Sequence, residues 1–347
     1  MSPRPIVAIA IFAVATVVAF VGASADAGQS APASWKLRHA IADPQDVAGP
    51  RGDGSFVVTA GGASGGALSL LDPASGRLRP FARGVSGYAT TTAEPYIALA
   101  RRGFRGPGGC EWGPDATYAI EAGADPGLVR ISRRGVARRF ARFAGFPAGI
   151  AFDSGGRFDH RLLVAVAGTG PPSVLYAFDC DGDRATVVAD GPQIEGGMAI
   201  APRSFGRFGG DLIAPGEVSG NVYALSADGT VRVVAESGLP FGGDIGVESA
   251  GFVPELGHGS YALVADPGRD GLLSLSRHAL RRQGVRGGDL LVAAEGSPTG
   301  TIAIRCAPRC RVSQVAFGPE GAGHAEGHIR FYRGVRHRGV AGERGAG

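Results

Sequence analysis

Six carboxylates stand at recurring places in an otherwise modestly basic chain. Glu195, Asp244 and Glu248 come just before short apolar runs, and Glu217, Asp266 and Glu295 come at or after the ends of others. Carboxylates that converge raise one another's pKa unless a cation or an arginine intervenes. A convergent set is therefore suited to Ca2+ or another divalent cation held by oxygen. The competing reading is that they only solvate strand ends. Asn221, four residues after Glu217, is the only asparagine, and the two together form a candidate ligand-binding pair. Whether the carboxylates meet depends on the elements that carry them.

Other constellations are weaker. Asp179, Asp181 and Asp183 mimic a calcium loop with Asp190 at the twelfth place, but the glycine falls fourth rather than sixth. His324 and His328 are four apart, a helical spacing, yet Gly323 and Gly327 break any helix and "HIRFY" reads as a strand. They are expected to be polar loop histidines rather than zinc ligands. There is no G-x-S-x-G elbow with a placed histidine and carboxylate, so no catalytic residue can be named. No phosphate-binding glycine loop opens a helix.

The chain has 347 residues, with 59 glycines and a formal charge of +4 from 35 basic and 31 acidic residues. The charges are interspersed, and all the basic residues but Lys36 are arginine, so nucleic-acid binding is not expected. Arg4, the apolar run Ile6 to Val21 and Ala23-Ser24-Ala25 together read as a cleaved export signal over residues 1–25. A linker over 26–34, a globular region over 35–333 and a disordered basic tail over 334–347 follow. No later segment could span a membrane. A secreted or periplasmic location makes disulfides the expectation for Cys110, Cys180, Cys306 and Cys310. Cys306 and Cys310 bracket a turn-like "APR", and Cys110 with Cys180 would then remain, although four cysteines allow three pairings. Trp112, in the insertion "GPGGCEWGPD", is either a contact residue or a plug under its loop.

The elements are short strands. "VYALS" and "VRVVAE" are separated by Asp228-Gly229, a strong hairpin signal. "VLYAFDCDGDRATVVADG" matches "NVYALSADGTVRVVAESG", about 48 residues on. "AGIAFD" and "GGMAIAP" open these two units, and looser copies occur throughout. Repeats of this length, four strands each and without helical pattern, predict an all-β fold: a six-bladed β-propeller of four-stranded antiparallel blades. The blades are expected near 45–84, 94–142, 148–190, 196–236, 248–295 and 299–333, and five or seven remain open. The last shows three strands, and "SWKLRHAIA" can supply the fourth and close the ring. "SRHALRRQGV" is a polar excursion. In this topology the six carboxylates fall on one rim, at the mouth of the channel.

The modules "GGMAIAPRSFGRFGGDLIAPGEVSGNVYALSADGTVRVVAESG" and "GLVRISRRGVARRFA" resemble blades of the superfamily that includes NHL-repeat proteins and the regucalcin–gluconolactonase lactonases. The resemblance covers residues 45–333 and implies a binding or interaction module, or a metal-dependent lactonase or esterase. The lactonases hold their metal through Glu, Asp and usually two Asn. Glu195 or Glu248 could stand for that Glu and Asp266 for an Asp, but this chain lacks the second Asn. The partner would be a small molecule or an extracellular protein, and a monomer is expected.

Overall fold

Alternating side chains in the middle strands decide the architecture. In Leu162–Ala167, Leu162, Val164 and Val166 enter one apolar cluster while Leu163 and Ala165 enter another. Strand side chains point to opposite faces in turn. A sheet that is apolar on both faces must therefore be covered twice, and neighbouring sheets do this. The computed structural model describes residues 31–61, 66–83, 87–89, 94–167, 172–242, 245–296, 299–318 and 323–333.

Four sheets follow the chain in order. The first holds Pro44–Ala48, Phe56–Ala60, Ala67–Leu71 and Leu78–Phe81. The second holds Ile97–Leu99, Thr117–Glu121, Gly127–Ile131 and Ala137–Arg142. The third holds Phe146–Phe152, Leu162–Ala167, Ser173–Phe178 and Arg184–Gly191, with Gly196–Gly197 added in parallel. The fourth holds Ala199–Ile200, Leu212–Gly216, Asn221–Leu225 and Val231–Glu236.

The fifth sheet has nine strands: two antiparallel four-stranded units joined by a parallel bridge, Ala250 to His328, and the short strand Ala33–Ser34 added in parallel to Cys310–Phe317. One unit is Val247–Phe252, Leu290–Ala294, Gly300–Cys306 and Cys310–Phe317. The other is Glu326–Tyr332, Tyr261–Asp266, Gly271–Ser276 and Lys36–Ala40. Among the described residues, then, pairing gives six four-stranded units in a propeller arrangement. Six apolar clusters each join consecutive units. The last packs Val47, Phe56 and Val58 of the first unit against Leu263 and Leu272 of the sixth, which closes the ring.

The last two expected blades are corrected. Residues 261–276 do not lie between 247–252 and 290–294 in one sheet. They cross to the sixth unit, and the helix Arg277–Arg282, capped by Ser276, leads the chain back to the fifth. Residues 300–317 belong to the fifth unit, so only Glu326–Tyr332 of the expected last blade lies in the sixth. Apolar alternation specifies strands but not their partners. The N-terminal segment does close the ring, as Lys36–Ala40 pairs with Gly271–Ser276. Just ahead of the expected tail, Arg330 lies within a strand and donates to the Val47 carbonyl at 3.3 Å. Residues 1–30 and 334–347, and with them the export-signal and tail readings, lie outside the described residues.

The disulfides are Cys110–Cys180, across the second and third units, and Cys306–Cys310 within a hairpin. Trp112 is a plug: 1% exposed, edge-on to Tyr118 and Phe152, with its indole N–H donating to the His160 carbonyl.

Candidate metal and ligand site at the channel mouth

The innermost strands all run the same way, so their N-terminal ends share one face with the C-terminal ends of the second strands. This geometry gathers carboxylates. Glu248 and Glu326 lie near the starts of Val247–Phe252 and Glu326–Tyr332, and Glu94 and Glu195 just precede inner strands. Glu217, Asp266 and Glu295 lie at the ends of second strands. The Tyr96 hydroxyl bridges the set, contacting Glu248 Oε1 and Glu326 Oε2, the latter at 3.0 Å. His324 Nε2 lies 2.5 Å from Glu326 Oε1 and 2.8 Å from Glu295 Oε1. Glu295, His324 and Glu326 present donor atoms within 4.8 Å of one another, close enough to share a metal ion.

Burial makes this arrangement costly without a cation. Glu248 and Glu326 are 2% and 1% exposed. Desolvation, and then the charge of Glu326, push the Glu248 carboxyl well above its ordinary pKa. Glu326 is raised in the same direction, again chiefly by burial. Desolvation, with Glu94 and Glu248 adding, pushes Glu195 up to about 10, and Glu195 also shares hydrogen bonds with Glu217 and Glu94. Asp266 rises to about 6, mainly through burial, although the His324 and Arg269 amides favour its charged form. Burial opposes a charge on His324, but the hydrogen bond and charge of Glu295 overcome it and raise its pKa. Glu248 Oε2 is buried and accepts from no N–H or O–H donor among the described residues, and Glu248 and the neighbouring Glu326 carboxyl hydrogen-bond each other only when one of them holds a proton. Such a carboxylate oxygen next to an imidazole and two further carboxylates fits a divalent cation.

The mouth is blind. A Cβ at Gly197 would sit 2.2 Å from the Gly327 carbonyl oxygen, so the segment leading into the fourth unit's inner strand meets the sixth unit's inner strand backbone to backbone. At the same depth His328, wholly buried, turns Nδ1 to Asp46 Oδ2 at 2.9 Å and Nε2 to the Ile150 carbonyl at 3.0 Å. Asp46 also accepts the Ile97 and His328 amides, which ties the first, second and sixth units together.

Of the residues expected at the rim, Glu195, Glu217, Glu248 and Glu295 join this cluster, and Asp266 faces the His324 amide. Asp244 lies outside the described residues. Asn221 turns its amide to the Tyr223 hydroxyl at 3.3 Å. Asp179 accepts the amides of Asp181 and Asp183, which makes that acidic run a hairpin turn. The expectation of loop histidines fails for His328, which lies inside a strand. Sequence reasoning missed Glu94, Tyr96, Glu326 and the role of His324. A signal for Glu326 was present, since Glu326-Gly327-His328 repeats the pattern of Glu195-Gly196-Gly197.

No family model matches the chain, and no curated protein matches it. Among solved structures it is similar to a chain of a nidogen/laminin complex, at 13% identity over 83% of this chain and 84% of that one, with a TM-score of 0.53. It is also similar to a calcium-binding protein, regucalcin, from Agrobacterium tumefaciens, at 12% identity over 83% of each chain and a TM-score of 0.43. At such identity the first likeness carries the propeller fold alone.

Proposed function

We propose that this chain is an exported six-bladed propeller that binds its ligand at the blind acidic mouth, through a divalent cation. Glu248, Glu295, Glu326 and His324 hold the cation, and Glu94, Glu195 and Glu217 line the side that the ligand approaches. The observation that carries the reading is the buried pair Glu248 and Glu326 on one tyrosine hydroxyl, with Glu248 Oε2 meeting no N–H or O–H donor among the described residues. The imidazole shifts the preference from calcium toward a first-row ion such as Mn2+ or Zn2+. The two disulfides suit an oxidising compartment. The ligand is a small molecule or an extracellular protein, met by a monomer.

Calorimetric titration of chelator-treated protein with Mn2+, Zn2+ and Ca2+ tests this. One cation should bind per chain, and Glu248→Gln with Glu326→Gln should weaken it at least a hundredfold. Equal binding by the double variant, or none by the unmutated protein, would refute the assignment.

A second reading, a metal-dependent lactonase or esterase, draws on one observation. Glu195, pushed up to about 10, keeps its proton at neutral pH and could donate it to a leaving oxygen. A bound cation would supply Lewis acidity. Turnover of a lactone or ester that Glu195→Gln abolishes, with cation binding intact, would favour this reading over simple binding.

A further inference from the structure

A second site lies between the first and second units, away from the mouth. Arg51, Arg79, Arg83, Arg133 and Arg134 line a cavity of about 740 Å³, with Asp53 and Phe81. Arg51 follows the innermost strand of the first unit, and Arg79 stands on its outer strand, Leu78–Phe81. Arg133 and Arg134 form the turn between the third and fourth strands of the second unit.

Arg51 is the unusual member. It is 5% exposed, its Nη2 donates to the Arg133 carbonyl at 2.8 Å, and its guanidinium carbon lies 5.0 Å from the centroid of the Phe81 ring. Its Nε and Nη1 are buried and meet no acceptor among the described residues. The nearby carboxylates do not compensate. Asp53 Oδ2 stands 3.6 Å from Arg79 Nη2, and Asp115 Oδ2 stands 3.5 Å from Arg133 Nε. Both are long for charge-assisted hydrogen bonds. Asp53 Oδ1 is occupied by the amide and hydroxyl of Ser55, and Asp115 Oδ1 by the Gly52 amide. Arg83 and Arg134 are exposed and have no acidic partner among the described residues.

Five guanidiniums thus face two committed carboxylates, and one of the five is buried with two free donors. A buried charge is tolerated when paired and hydrogen-bonded, and arginine's planar donor array matches oxyanions. We propose that this groove binds a tetrahedral oxyanion, the phosphate or sulfate group of a small ligand. A divalent tetrahedral anion offers several acceptors at once, so it can bridge Arg83 and Arg134 from the solvent side while the uncompensated charge of Arg51, just behind the wall, draws it in. The free ion and the phosphoryl end of a larger molecule share this chemistry.

Titration calorimetry at constant ionic strength, with inorganic phosphate, inorganic sulfate and glycerol phosphate against a chloride reference, tests the proposal. The unmutated protein should bind phosphate and sulfate with submillimolar affinity. Arg83→Ser with Arg134→Ser, both at exposed positions, should weaken binding at least tenfold without shifting the melting temperature of the free protein. Arg51→Met, of similar shape and without charge, should abolish binding. If it fails to fold, the double variant decides alone. Glycerol phosphate binding as tightly as phosphate upholds the proposal with a larger molecule as the source. Exclusion of glycerol phosphate while phosphate binds upholds it with the free ion. No binding beyond chloride, or binding undiminished in the double variant, overturns it.

Discussion

At the mouth, each carboxyl is expensive to ionise and each neighbour adds to the cost. Glu248 and Glu326 share the Tyr96 hydroxyl, and burial favours their neutral forms. Replacing one by glutamine keeps the shape and removes the cost of taking up a proton on folding, which the raised carboxyl must meet at neutral pH. We therefore expect Glu248→Gln, at neutral pH in a chelator, to raise stability by about 1–3 kcal/mol. Denaturant unfolding checks this, and a loss of stability would show that the carboxylate is already neutralised within the chain. The gain should vanish in saturating cation, because only the unmutated protein then binds. Little of this was legible in the sequence. Glu195 and Glu248 could be suspected from their places before apolar runs. Tyr96 could not, because a tyrosine before a strand looks like ordinary core.

Among the elements, the innermost strands do the positioning. They bring glutamates to one end and then meet below them, at Gly197 and Gly327. A methyl group at Gly197 would enter the space of the Gly327 carbonyl oxygen, 2.2 Å away. Gly197→Ala should therefore cost ~3 kcal/mol, an overpacking penalty at a contact made by backbone. A lowered denaturation midpoint with an unchanged slope would confirm it, and an unchanged midpoint would mean that these strands can part. Strand and turn positions were readable from period-two alternation and from dipeptides such as Asp228-Gly229. The partners were not. The hairpin formed by Tyr261–Asp266 and Gly271–Ser276 has the same pattern as its neighbours, yet it belongs to the sixth unit. Nothing local distinguishes the two choices, because both neighbours offer an apolar face.

The described residues from 31 to 333 form a ring whose last two units exchange chain and whose closure depends on the strand Lys36–Ala40. The ring was legible because the repeat length and the doubly apolar sheets leave few other ways to bury both faces. The exchange was not, since it depends on connections rather than patterns. Ring closure also explains why the mouth reports on global stability. Its carboxylates come from the second, fourth, fifth and sixth units, and a cation held by Glu248, Glu295, His324 and Glu326 would tie the fifth unit to the sixth. Its absence leaves protons to do the same work. Glu195 is pushed up to about 10 from an ordinary value near 4.5, so the folded state holds a proton that the unfolded chain releases. That stabilisation is complete below about 4.5 and is lost as pH rises toward about 10. Asp266, raised to about 6, contributes in the same direction over a narrower range. A cation at 100 times its dissociation constant would add about 2.7 kcal/mol. The most direct test is the melting temperature between pH 5 and 8.5, measured in chelator and again in excess Mn2+. We expect it to fall with rising pH in chelator and to be restored by the cation, most strongly at the alkaline end. Two superimposable curves would contradict a cation site at the mouth.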